Sequence, residues 1–220
     1  MAAMKTVDWY FDYISPYAYL QSTRLPELAK AVSLNLKPVL FAALLDANGQ
    51  LGPAEIPSKR THTFRQVLWL AQRDGIAMKL PPVHPFNPLP LLRLTLALGP
   101  SVEIVRTLFD FVWREGRDPG HPAEWQALCE QLGVENADAL IGDVQVKDGL
   151  RRNGEEAIAR GLFGVPTLFI DGELFWGDDS TQHFLEYVRN PGAVRSLTFE
   201  PVTRLAHGPG RRRKTTSAGT

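Results

Sequence analysis

The sequence predicts an α/β fold with a large all-helical insertion. An opening strand-helix-strand pattern, a long central stretch of helical periodicity and a late hairpin with an Asp-Gly turn carry that expectation. The 220 residues, 44% of them hydrophobic, suffice for one domain with a sizeable core or one domain carrying an insertion.

Thr6 to Tyr13 is rich in β-branched and aromatic residues and reads as a buried strand. Pro16 then stands at a first helical position, and Tyr19, Leu20, Leu25, Leu28 and Ala29 recur at roughly helical spacing. Leu34 to Phe41 reads as a second strand, with Pro38 fitting an edge or a bulge. From about Pro53 the period changes. Ser58 to Arg73, Ser101 to Arg114, Ala123 to Leu132 and Val146 to Arg160 carry helical patterns, separated by breakers such as Pro81-Pro82 and Asp118-Pro119-Gly120. Thr167–Ile170 and Glu173–Trp176 flank Asp171-Gly172 as a hairpin, and Asp179 or Ser180 is placed to cap a closing helix through Tyr187. The expected organisation is a discontinuous sheet-bearing domain of residues 1–52 and 161–200, a helical insertion of 53–160, and a basic tail of 201–220 without structure.

Lys+Arg and Asp+Glu both number 24, so no electrostatic footprint for nucleic acid or an anionic membrane is present. The one basic run, Arg211-Arg212-Arg213-Lys214, lies in a Gly, Ser and Thr-rich tail and reads as a solvated end. A single cysteine, Cys129, rules out an intrachain disulfide and Cys-x-x-Cys chemistry, and reads as a buried helix residue. With no apolar signal-type start and no apolar stretch long enough for a bilayer, a reducing, cytoplasmic setting is expected. The five histidines show no zinc-type spacing, so no metal site is assigned.

Two short segments carry chemistry. Ser15 follows the first strand where a helix should begin, and a serine there can hold and polarise a bound thiolate through its hydroxyl and the exposed N–H groups of the first turn. An ordinary helix cap is the plain alternative. Val165-Pro166-Thr167 precedes the third strand, and a cis proline there presents Val165 as a backbone edge for an extended peptide ligand such as glutathione. Asn87 and Arg93 lie in a Pro-rich connection whose polar groups either face a carboxylate or stabilise the turn.

Ser15-Pro16-Tyr17, the segment from Asn87 to Arg93, Gly161 to Thr167, and Phe175-Trp176-Gly177-Asp178-Asp179 together resemble the 2-hydroxychromene-2-carboxylate isomerase family. That family is similar to kappa-class glutathione transferases and belongs to the DsbA-like branch of the thioredoxin superfamily. The resemblance implies a thioredoxin-like fold, glutathione as cofactor, and cis-trans isomerisation of an aromatic small molecule, between 2-hydroxychromene-2-carboxylate and trans-o-hydroxybenzylidenepyruvate, in aromatic-compound degradation. It implies Ser15 as the catalytic residue, with Ser15, Val165, Pro166, Asp178, Asp179 and Ser180 holding glutathione. Tyr17, Lys59, Asn87 and Arg93 are the implied substrate contacts, and a homodimer is usual in the family. Three departures stand out. The family's Gln-Asp-Arg is here Asp178-Asp179-Ser180, which keeps the carboxylate at Asp179 and lacks the arginine. His62 takes the tyrosine place of a Lys-x-x-Tyr pattern begun by Lys59, and Trp69 a place often held by arginine. A kappa-like transferase and a non-catalytic thioredoxin-like binding protein remain the alternatives.

Overall fold

β1 (Thr6–Phe11) lies inside a four-stranded sheet of order β2-β1-β3-β4 in the computed structural model, which describes residues 4–206 and Gly208. β2 (Ser33–Pro38) runs parallel to β1 on one side, and β3 (Thr167–Ile170) runs antiparallel to it on the other. β4 (Glu173–Trp176) closes the hairpin, pairing Phe175 with Leu168, which in turn faces Trp9. The Asp171-Gly172 turn takes φ of 53° and 84°, the left-handed backbone that a two-residue hairpin requires.

Alternation along β1 divides the core between the two faces of the sheet. Trp9 and Phe11 stack at 4.4 Å, and Tyr13, just past the strand, packs its ring 4.6 Å from Phe109. Tyr10 faces the opposite way, into a cluster with Val39, Leu44, Ala157, Leu162 and Val165. Each such buried side chain stabilises the fold by about 1.5–3 kcal/mol before entropy is counted. The strand that presents Ser15 is therefore gripped on both faces.

The helical spacing from Tyr19 to Ala29 resolves into two short helices, α1 (Pro16–Ser22) and α2 (Leu25–Ala31). Pro26 explains the break, because it has no N–H to continue the ladder and fits only a first turn. The second strand stops at Pro38 for the same reason, and the residues expected to end it begin α3 (Phe41–Ala47) instead. Every regular element between α3 and β3 is helical: a 3₁₀ turn at Pro53–Glu55, α4 (Pro57–Arg73), α5 (Leu89–Leu98), α6 (Val102–Phe109) with a π-helical turn at Asp110–Arg114, α7 (Pro122–Gln131), α8 (Ala137–Gly142) and α9 (Val144–Ala159). α5 corrects the reading of residues 87–93 as a connection, since Pro90 sits in its first turn, where proline is tolerated.

Two compact units divide the chain, Met1–Thr181 and Gln182–Thr220, and the helices between residues 53 and 160 belong to the first, with the sheet. The second unit contains α10 (Thr181–Arg189) from Gln182 onward, α11 (Pro191–Val194), a π-helical turn at Arg195–Phe199 and α12 (Glu200–Thr203). There Tyr187 stacks on Phe199 at 5.9 Å and accepts a hydrogen bond from Arg195 at 2.8 Å. Ordered helix thus reaches Thr203, into the segment expected to lack structure, while Arg211 to Lys214 lie outside the described residues. Among the described residues, no helix is long and apolar enough to cross a membrane.

Candidate active site

Ser15 caps α1, its Oγ accepting the Ala18 N–H at 3.2 Å. The same hydroxyl donates to the Val165 carbonyl at 3.3 Å and is almost fully buried. The loop that delivers it is fixed at every carbonyl. Asp12 O takes the Ser15 N–H at 3.1 Å, Tyr13 O the Trp113 indole N–H at 2.8 Å, Ile14 O lies 2.9 Å from His84 Nε2, and Ser15 O takes the Tyr19 N–H at 3.2 Å. The fully buried Asp12 carboxylate accepts from Ile14 N–H at 3.1 Å and Phe41 N–H at 2.8 Å, which ties the loop to the start of α3. Burial pushes the Asp12 carboxyl up to about 7, against the lowering effect of those backbone donors.

The Val165-Pro166 bond is cis. Val165 is buried, and its N–H has no hydrogen-bond partner among the described residues. Beside it, Thr167 Oγ1 donates to Gly164 O at 2.8 Å, and a Cβ at Gly164 would collide with the indole of Trp176. Trp176 packs edge-on against Phe163 at 5.0 Å and remains half exposed. An aromatic wall thus stands next to the Val165 edge.

Gln21 links these parts to the segment after β4. Its Oε1 accepts from the Trp9 indole at 2.6 Å, and its Nε2 donates to Gly177 O at 3.1 Å and Thr181 Oγ1 at 2.9 Å. Gly177 N–H in turn reaches Pro166 O at 2.9 Å. Gly177 has φ 92°, and the Asp179 carboxylate occupies the space a side chain there would need. Asp178 is buried, with Arg24 Nη1 3.3 Å away. Burial raises its pKa while Arg24 pulls it down. Asp179 is exposed. A 3₁₀ turn, Asp178–Ser180, leads into α10, and Ser180 Oγ donates backwards to Gly177 O at 2.9 Å.

Tyr17 is half-buried, donates to Gln66 Oε1 at 3.0 Å, and has its phenol pKa raised by burial and by the fields of Asp179 and Asp178. Ser15, Val165, Pro166, Tyr17 and residues 178–180 are thus connected through contacts of the first unit. Among the described residues, the other three expected residues are not joined to them by a hydrogen bond or ion pair. Lys59 is exposed on α4, and Asn87 Oδ1 accepts the Leu89 N–H at 3.1 Å ahead of α5. Arg93 lies on α5 with its Nε buried and unpartnered. Sequence reasoning missed Asp12, Gln21, Arg24 and His84, whose partners lie far away in the chain. For Asp12 a signal existed: a carboxylate directly after the apolar run Trp9-Tyr10-Phe11, three residues before the serine. Among the described residues, no group of three or more metal-ligating side chains is assembled.

The family model of the DSBA-like thioredoxin domain matches residues 6–189. A 2-hydroxychromene-2-carboxylate isomerase of Sphingobium xenophagum is 28% identical over 193 residues, covering 84% of this chain and 98% of that protein. Glutathione S-transferase kappa 2 of Caenorhabditis elegans is 26% identical over 214 residues, covering 87% and 95%. A solved 2-hydroxychromene-2-carboxylate isomerase structure superposes with a TM-score of 0.74 at 25% identity, over 87% of this chain and 97% of that one. The chain belongs to the DSBA-like thioredoxin domain family and is an enzyme akin to the 2-hydroxychromene-2-carboxylate isomerases.

Proposed function

We propose that the protein is a glutathione-dependent cis-trans isomerase of 2-hydroxychromene-2-carboxylate and trans-o-hydroxybenzylidenepyruvate-type substrates. The observation that carries this reading is the pairing of Ser15 Oγ with the Val165 carbonyl at 3.3 Å, beside a Val165 N–H with no partner. A backbone donor left unpaired within the protein is available to a peptide-like ligand laid along the edge. Exposed Asp179 suits the amino end of that ligand, with Asp178 and Ser180 behind it. The absent family arginine has a partial counterpart in Arg24, whose guanidinium sits beside Asp178.

When bound, glutathione supplies a thiolate that adds reversibly to the conjugated double bond of the substrate, making it single and free to rotate before elimination. Ser15 supplies the hydrogen bond that favours the charged sulfur, turning its proton from the Val165 carbonyl toward the ligand. A charge-assisted hydrogen bond is worth about 1.5–3 kcal/mol, and about 1.4 kcal/mol corresponds to one pKa unit. Ser15 therefore lowers the thiol by roughly one to two units, less whatever desolvation takes back. Trp176 and Tyr17 supply aromatic surface beside the site.

Such a cofactor is available reduced in the cytoplasm, the setting we assign, and a homodimer is the assembly expected with it. The test is turnover of trans-o-hydroxybenzylidenepyruvate with and without glutathione, with free thiol measured before and after. Isomerisation that requires glutathione and returns it supports the proposal. Stoichiometric loss of thiol into a conjugate selects the kappa-like transferase instead, and glutathione binding without turnover selects a binding protein.

A further inference from the structure

The peptide unit that joins Ile14 to Ser15 is held at both ends. Its N–H donates to Asp12 O at 3.1 Å, and its carbonyl meets His84 Nε2 at 2.9 Å. A carbonyl only accepts, so Nε2 carries the proton. Nδ1 is then the bare nitrogen of the ring, and it is buried with no hydrogen-bond partner among the described residues. The opposite tautomer would turn a lone pair toward the Ile14 carbonyl and bury an unsatisfied N–H at Nδ1. A cationic ring would bury that same N–H. Burial lowers the His84 pKa, the bond to Ile14 raises it, and the charge of Arg60, which donates to His84 O at 3.4 Å, lowers it again.

Three aromatic rings surround the imidazole. Phe64 of α4 meets it edge-on at 5.1 Å, Phe86 edge-on at 6.0 Å, and Trp113 of the π-helical turn lies at 5.7 Å. Trp113 also serves the preceding carbonyl, Tyr13 O, through its indole N–H. Two side chains from outside the loop thus take successive carbonyls, but only Ile14 O belongs to the peptide that carries the Ser15 N–H. Because a peptide is planar, a donor on its oxygen and an acceptor for its N–H together fix its tilt, and that tilt sets φ of Ser15, here −88°. The side chain follows that backbone angle, and Oγ comes to rest between the Ala18 N–H and the Val165 carbonyl.

We propose that neutral His84 is the positioning residue of Ser15: its Nε2–H locks the Ile14–Ser15 peptide and so holds the hydroxyl where it meets the glutathione sulfur. The catalytic part rests on the function proposed above, whereas the lock on the peptide is tested without it. Two variants separate the donor from the ring. His84→Phe keeps an aromatic ring and loses the donor, while His84→Gln loses the ring and brings an amide N–H to the reach of Nε2. Without glutathione, hydrogen exchange of the Ser15 amide should be about tenfold faster in His84→Phe than in the wild type, and close to wild type in His84→Gln. Unchanged exchange in His84→Phe, or equal acceleration in both variants, overturns the proposal. With glutathione, His84→Phe should raise the bound thiol pKa by about one unit and lower kcat about tenfold at unchanged glutathione affinity, with most of both losses recovered in His84→Gln. Fast exchange beside a wild-type thiol pKa and kcat removes the positioning role. A wild type that neither binds glutathione nor turns over sinks the isomerase reading, and exchange then decides the lock by itself. Nitrogen chemical shifts of wild-type His84 need no variant. They should show a proton on Nε2 and none on Nδ1 at neutral pH, and the reverse tautomer or a cation overturns the proposal.

Discussion

The Ser15 hydroxyl and the Val165 carbonyl lie 3.3 Å apart although 150 positions separate them in the chain. The contact joins the start of α1 to the loop before β3 through the same hydroxyl that caps the helix.

Replacing Ser15 by Ala should leave glutathione bound while raising its thiol pKa by roughly one to two units, because the sulfur loses its donor and the Val165 edge survives. An ultraviolet thiolate titration beside isomerase kinetics reads both effects. Loss of the cap also costs about 1 kcal/mol of stability, so melting should be followed in parallel. If neither pKa nor turnover changes, Ser15 is only a cap.

Asp178 and Asp179 should separate cleanly. Asp178 is buried beside Arg24, which is itself partly exposed, so Asp178→Ala should lower stability by about 1–2 kcal/mol. Exposed Asp179→Ala should weaken glutathione about tenfold without moving the melting temperature. Calorimetric titration and thermal unfolding on the pair check this, and unchanged affinity in Asp179→Ala would transfer the anchoring role to its neighbour.

Asp12 predicts a pH dependence. Its folded pKa, pushed up to about 7, exceeds the unfolded value near 4, so the folded state holds more protons between them. Its contribution to stability is therefore fully present below pH ~4 and is lost as pH rises through ~7, by at most about 1.4 kcal/mol per unit. His84, whose pKa is lowered, contributes the opposite trend, losing stability as pH falls. Urea unfolding from pH 4 to 8 on the wild type and Asp12→Asn isolates the first effect. Parallel curves would mean that Asp12 does not titrate in this window.

Gly164→Ala should displace the Trp176 indole, with a loss of about 1–3 kcal/mol from overpacking. Most of the loss should disappear in the background of Trp176→Ala, which removes the clashing ring. A double-mutant cycle on chemical denaturation checks the coupling, and additive losses would show that the clash lies elsewhere.

Local chemistry was legible in the sequence where it decides structure by itself. Ser15 before Pro16 announces a capped helix, Asp171-Gly172 announces a hairpin, and both stand as read. Proline was the weak point: Pro26, Pro38 and Pro90 each moved a boundary, because proline is compatible with a strand end, a turn or a helix start, and tertiary packing chooses among them. The site was legible at Ser15 and Val165, which carry their own chemistry. It was not legible at Gln21 or His84, whose meaning comes from Gly177, Thr181 and Ile14, groups brought near only by the folded chain.

The three hydrogen bonds of Gln21 leave its position little room for sequence drift. A glutamate would set an acceptor against the Gly177 carbonyl, a leucine would leave the Trp9 indole without a partner, and a lysine would offer that indole no acceptor at all. Asp179, in water a few residues beyond Gly177, meets no such restriction. The Asp179 position can therefore change by single substitutions, while the spacing between α1 and the segment after β4 stays fixed by one carboxamide.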